Sequence, residues 1–121
     1  MVNNQILKMI SLSQRDSWIL YLDDERNPQT NRPWTIARTV SDAKNLVMTK
    51  GAPDFISFDH DIDENGTGMD FAKWLIDMDM DGKIELGPDF DWIIHSANPV
   101  GSKNIQGILE SYMRFKNAAR I

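Results

Sequence analysis

The chain has 121 residues with a net charge of −5, 41% hydrophobic residues, two histidines and no cysteine. This size and apolar content suit one domain with one core, and the missing cysteines exclude disulfides and thiolate metal sites. The acidic balance argues against tight non-specific binding to nucleic acid, which requires Lys and Arg opposite the phosphates. The sequence shows no signal peptide and no apolar run of the ~18 residues that a membrane span needs, so we expect a cytoplasmic location.

Four short segments rich in apolar residues predict β-strands at residues 18–22, 34–40, 54–58 and 91–95. An amphipathic segment follows each of the last three strands and begins with a residue suited to cap a helix, namely Ser41, Thr67 or Asn98. The stretch between the first two strands is polar and holds Pro28 and Pro33. Its crossover is therefore expected to lack a helix.

This order of strands and helices predicts an α/β domain with a parallel sheet. Right-handed crossovers between parallel strands place helices on both faces of such a sheet. We therefore expect three layers, α/β/α, around a parallel sheet of four or five strands with a degenerate first crossover. Residues 17–121 are predicted to form this domain, and residues 1–16 are predicted to form an N-terminal extension, with either an extra strand or an arm over residues 5–12.

Three of the predicted strands end in residues that carry chemistry: Asp23-Asp24, Asp59-His60-Asp61 and His95-Ser96. Ligands bind beyond the carboxyl ends of the strands in open parallel sheets. Clustered carboxylates repel one another, so they either become protonated or bind a cation. Oxygen ligands select a hard divalent ion such as Mg²⁺, Mn²⁺ or Ca²⁺, and among these we expect Mg²⁺ or Mn²⁺. We expect Asp24, Asp59 and Ser96 to surround one shared ion and an incoming anion.

The segment after the fourth strand is predicted to hold that anion. The Ser96 hydroxyl is suited to a phosphate oxygen, and a turn capped by Asn98 and containing Gly101 presents main-chain N–H groups at the start of a helix. Lys103 would add a positive charge one turn further along. The same residues also fit an ordinary turn between a strand and a helix, with Lys103 as a solvated surface residue.

Two histidines and one arginine lie next to these acidic and polar residues in the sequence. His60 and His95 are candidate general acids or bases, because imidazole titrates near neutral pH. Each also fits a histidine that pairs with an aspartate or packs in the core. Arg26 follows the acidic pair closely and is either a phosphate ligand or a solvated loop residue.

Four motifs, in this order, resemble those of cyclic-phosphate-processing receiver domains: Leu22–Arg26 with Pro28, Ser57–Asp61, Thr67-Gly68, and His95–Gly101 with Asn104-Ile105. The resemblance spans about residues 18–113 and implies a flavodoxin-like, receiver-like fold. It implies that Asp23 and Asp24 are the metal-binding pair and that Asp59 takes the place of the phospho-accepting aspartate. It also implies that Asp61 offers its main-chain carbonyl to the metal and that Ser96 is the Ser/Thr after the fourth strand.

The resemblance implies that the protein acts on a small phosphate ligand or an RNA end, in RNA processing or repair. It also implies a bacterial protein, or a phage protein that works in the cytoplasm of the host. Three functions stay open. The first is a metal-dependent cyclic phosphodiesterase or phosphohydrolase in which Asp59 or a water attacks phosphorus and His60, His95 and Ser96 assist. The second is a phospho-accepting switch, against which the missing Lys-Pro pair of receivers counts. The third is a binder of cyclic nucleotides or RNA ends without turnover.

Overall fold

The computed structural model describes residues 17–59, 67–96 and 98–119. These residues form four strands and three helices in the order β1 (Ile19–Leu22), β2 (Trp34–Ala37), α1 (Val40–Lys50), β3 (Phe55–Phe58), α2 (Gly68–Met80), β4 (Asp91–Ile94) and α3 (Pro99–Ala119). All neighbouring strands are parallel, and their order is β2-β1-β3-β4. This is the order of the first four strands of a flavodoxin-like sheet, which confirms the predicted fold class.

The two faces of the sheet have different surroundings. Side chains alternate between the faces of a strand, and on one face Leu20, Leu22, Ile56 and Phe58 are completely buried. The three helices contribute their apolar stripes to this same core, with residues that include Ala43, Val47, Phe71, Leu75, Ile105 and Leu109. The described helices thus share one face and form two of the three expected layers together with the sheet.

The other face carries Tyr21, Ser57 and the two isoleucines Ile36 and Ile93, which are 41% and 51% exposed. The described chain between β1 and β2 contains no helix, as predicted. The N-terminal extension over residues 1–16 lies outside the described residues. None of the helices in the described ranges is long and apolar enough to cross a membrane.

Local side-chain chemistry sets the ends of the helices. The predicted cap of α2 at Thr67 is confirmed, and it forms a capping box with Asp70. Thr67 Oγ1 accepts from the Asp70 amide at 3.2 Å and the Asp70 carboxylate accepts from the Thr67 amide at 2.9 Å. The predicted cap of α1 at Ser41 is wrong, because β2 ends at Ala37 and the chain turns earlier. Thr39 Oγ1 accepts from the Asp42 amide at 3.0 Å instead.

A buried ionic cluster joins α2, α3 and the segment before β4. The carboxylate of Asp79 accepts hydrogen bonds from the Leu86 amide at 2.8 Å, from Lys116 Nζ at 2.6 Å and from the Tyr112 hydroxyl. Lys116 Nζ also donates to the Leu86 carbonyl at 2.7 Å. Burial by itself raises the pKa of Asp79, but these hydrogen bonds and the Lys116 charge outweigh it and lower the pKa. The carboxylate is therefore held in its charged form inside the fold.

Candidate functional site

Three chemically active side chains meet at the carboxyl edge of the sheet. Asp23, Asp59 and His95 each lie just past a strand, and their amides still donate to carbonyls of the neighbouring strand at 3.1, 2.9 and 2.8 Å. The alternation of the strand therefore continues through them and turns all three side chains to the face of Tyr21 and Ser57. One potential ligand atom from each lies within 4.8 Å of the other two.

Asp23 is held in a fixed position at this edge by burial and hydrogen bonds. Its side chain is completely buried. Oδ1 accepts from the amides of Glu25 at 2.9 Å and Arg26 at 2.8 Å, and Oδ2 contacts Arg26 Nε at 3.0 Å and His95 Nε2 at 2.9 Å. Burial raises the pKa of Asp23, but the hydrogen bonds and the Arg26 charge outweigh burial and lower the pKa. Asp23 is thus a fixed carboxylate.

Arg26 supplies a positive charge between the two aspartates. Its Nε lies 3.0 Å from Asp23 Oδ2, and its Nη2 lies 3.5 Å from Asp59 Oδ2. Nη2 also donates to the His95 carbonyl at 3.3 Å. The negative charge of Asp23 raises the pKa of Arg26 further. The cation that clustered carboxylates require is therefore provided within this structure by a side chain.

His95 is held on three sides. Its Nε2 contacts Asp23 Oδ2 at 2.9 Å, its Nδ1 contacts Ser57 Oγ at 2.6 Å, and its ring stacks on Tyr21 with centroids 4.7 Å apart. An ionised carboxylate only accepts hydrogen bonds, so Nε2 carries the proton. In the neutral ring Nδ1 then accepts from the Ser57 hydroxyl. His95 thus links Ser57 to Asp23 in one hydrogen-bonded chain.

Ser57 and Tyr21 also lie in the site, although neither is among the predicted site residues. Ser57 is a buried hydroxyl in an otherwise apolar strand. It lies two residues before Asp59, just as Tyr21 lies two residues before Asp23. Since side chains two apart share a face of a strand, the period-two pattern could have identified both residues.

Three of the predicted phosphate ligands, Ser96, Asn98 and Gly101, lie in a compact turn. Ser96 Oγ accepts from the Asn98 amide at 3.0 Å, and Asn98 Oδ1 accepts from the Gly101 amide at 2.9 Å. Asn98 therefore caps α3 as predicted, and the positive end of that helix lies where β4 ends. Lys103 is exposed and lines a groove between α2 and α3 with Ile76.

Two adjacent aspartates follow β1, and they have different surroundings. Asp23 faces Asp59 and His95, whereas Asp24 is exposed and does not belong to the group of three found among the described residues. The reason is the alternation of the strand, which turns successive side chains in opposite directions. His60 and Asp61, the other predicted site residues, lie outside the described residues.

The residues at this edge fit a divalent ion. Asp23 and Asp59 offer carboxylate oxygens, and a ring nitrogen of His95 lies within 4.8 Å of them. His95 Nε2 becomes a ligand only when it gives up the proton that it shares with Asp23. Carboxylate oxygens suit Mg²⁺ and Mn²⁺, and imidazole is better suited to the transition metal of the two. A divalent ion bound here would contact the same two carboxylates that contact Arg26 in this structure.

The strand order, the crossover without a helix and the acidic carboxyl edge define a receiver-like α/β domain. Residues 18–111, more than three quarters of the chain, match the family model described as the cyclic-phosphate processing receiver domain. The chain belongs to this family, which confirms the resemblance found in its motifs. Searches of curated proteins and of solved structures give no match.

Proposed function

We propose that this protein processes 2′,3′-cyclic phosphate ends of RNA or nucleotides at the carboxyl edge of its sheet, with Mg²⁺ or Mn²⁺ as cofactor. The observation that carries the proposal is the meeting of Asp23, Asp59 and His95 within 4.8 Å in a chain that belongs to a cyclic-phosphate processing family. RNA processing or repair is the corresponding biological setting.

The side chains have distinct proposed roles. Asp23 and Asp59 would hold the ion, which supplies charge neutralisation at phosphorus and orientation of the attacking group. Arg26 and the positive end of α3 would bind the phosphate oxygens. Asp59 is the candidate general base for an attacking water, because its side chain is 8% exposed, whereas that of Asp23 is completely buried and accepts four hydrogen bonds. Hydrolysis would add that water across one P–O bond of the ring and leave a phosphomonoester beside a free hydroxyl.

A binder without turnover is the second candidate. It is favoured by His95, whose two ring nitrogens both contact protein groups, Ser57 Oγ and Asp23 Oδ2. Proton transfer to a substrate by His95 would require one of these contacts to open. In a pure binder, the same contacts would keep the edge rigid around the phosphate.

Phosphorus NMR separates the two candidates. The protein is incubated with 2′,3′-cyclic CMP or a short oligoribonucleotide with a cyclic end, in the presence of Mg²⁺ or Mn²⁺. Processing gives a phosphomonoester signal, and Asp59→Asn lowers the rate at least ~100-fold, as expected for loss of a general base. Asp89→Asn is the matched control, because Asp89 is exposed in the loop that precedes β4.

Two other outcomes also decide between the candidate functions. Saturable binding with full recovery of the cyclic ligand supports the binder and contradicts hydrolysis. If neither ligand binds or reacts, both candidates are wrong.

A further inference from the structure

The two carboxylates of the candidate site share one cation, and that cation is a side chain. Asp23 Oδ2 and Asp59 Oδ2 both lie within 3.5 Å of Arg26 nitrogens. The same two residues provide the oxygens of the group that suits a divalent ion. A guanidinium and a metal ion cannot both lie between the same two oxygens, because they would repel each other and overlap.

The Arg26 side chain can move away from the two aspartates while its main chain stays in place. The side chain is 51% exposed. The main chain is fixed, because the Arg26 amide donates to Asp23 Oδ1 at 2.8 Å and the Arg26 carbonyl accepts from Arg38 Nη1 at 2.6 Å. Rotation of the long side chain therefore moves the charge without a change of the loop.

We propose that Arg26 and a divalent cation compete for the position between Asp23 and Asp59, and that the displaced guanidinium then binds the phosphate of the ligand. The second half of this proposal rests on the proposed function. A guanidinium suits the second role because its planar fork of N–H groups matches phosphate oxygens. The carboxylates are thus neutralised by Arg26 at rest and by the metal when a phosphate is bound.

Competition of this kind couples the two ligands. A metal ion frees Arg26 for the phosphate, and a phosphate withdraws Arg26 from the carboxylates. Each ligand therefore strengthens binding of the other by the same factor, as linkage requires. The part of the coupling that depends on Arg26 disappears when Arg26 is replaced, whereas direct attraction between the ion and the phosphate remains.

The test measures binding of Mn²⁺ to the full chain by electron paramagnetic resonance of the free ion, with and without inorganic phosphate. Arg26→Gln removes the competing charge and is expected to bind Mn²⁺ roughly two- to five-fold more tightly, the scale of one partly exposed ion pair. Phosphate should tighten Mn²⁺ binding more in the wild type than in this variant. Arg32→Gln is the matched control, because Arg32 lies over the rings of Trp34 and Phe55 and should behave as the wild type.

Arg26→Lys guards against a change of fold, because it keeps the positive charge. It is expected to retain the wild-type affinity for Mn²⁺. The proposal is overturned if Arg26→Gln binds Mn²⁺ no more tightly than the wild type, if Arg26→Lys gains as much as Arg26→Gln, or if none of these proteins binds Mn²⁺. Competition and coupling without any reaction or binding of cyclic phosphates would leave this proposal standing and contradict the proposed function.

Discussion

Lys116 is predicted to be the most sensitive charged residue for stability outside the candidate site. Its Nζ lies 2.6 Å from Asp79 Oδ1, with side-chain exposures of 15% and 2% for the two residues. Lys116→Met keeps the aliphatic stem and removes the charge, which leaves a buried carboxylate without its cation. Loss of one partner of a buried ion pair costs roughly 3–5 kcal/mol. We expect about 3 kcal/mol because Tyr112 and the Leu86 amide still donate to Asp79.

The size of this effect makes it measurable by calorimetry and by urea unfolding. For a domain of this length, about 3 kcal/mol corresponds to a fall in Tm of roughly 12 °C. Lys103→Met is the matched control on the same helix, and since Lys103 is exposed it should change stability by less than ~0.5 kcal/mol. The double variant Asp79→Asn with Lys116→Met should recover part of the loss, because no uncompensated charge remains. Equal Tm values for Lys116→Met and the control would refute this reasoning.

The same pair gives a pH dependence whose sign follows from the lowered pKa of Asp79. A carboxylate with a lower pKa in the folded state contributes stability that is complete above the unfolded pKa, near ~3.9 for Asp. That contribution is lost as the pH falls from there through the folded pKa. Below pH ~4 the wild type should therefore lose stability more steeply than Asp79→Asn. Parallel acid unfolding curves for the two proteins would contradict the assignment.

Three further predictions concern the candidate site. Ser57→Ala should destabilise the fold by about 1–2 kcal/mol in urea unfolding, because it leaves His95 Nδ1 without its 2.6 Å partner; an unchanged midpoint would show that this contact contributes nothing. Asp23→Asn should cost about 2–3 kcal/mol, because one buried oxygen becomes an NH₂ group that faces the donors Arg26 Nε and His95 Nε2 or leaves the backbone amides unpaired. Asp24→Asn, at an exposed position, should stay within ~0.5 kcal/mol. Incubation with acetyl phosphate and Mg²⁺ should give no phosphoryl adduct on Asp59 by mass spectrometry, because the sequence lacks the Lys-Pro pair of receivers; an adduct there would favour the switch function instead.

The fold could be predicted because its signals are local. Four apolar runs gave the strands, and side-chain oxygens at Thr67 and Asn98 gave the starts of two helices. The start of α1 was missed because Thr39 and Ser41 are both good caps, and the end of β2 decides between them. Propensity alone carries no information on where a strand stops pairing.

The candidate site could be predicted only in outline. The carboxyl ends of parallel strands gather Asp23, Asp59 and His95, and this much follows from topology. Which of two adjacent aspartates faces the site depends on which side of β1 is buried, and the position of Arg26 between the carboxylates depends on side-chain geometry. Likewise Asp79 and Lys116 meet across two helices, 37 residues apart in the chain, a distance at which sequence patterns give no pairing.

The central claim is that Asp23 and Asp59 hold one divalent ion beside His95 at the carboxyl edge of the sheet. A titration with Mn²⁺ followed by proton–nitrogen correlation NMR tests it directly, because the ion broadens the amide signals nearest to it. The account predicts that broadening is strongest at these three residues and is lost in Asp59→Asn. Broadening spread evenly over exposed aspartates elsewhere, such as Asp42 and Asp91, would contradict it.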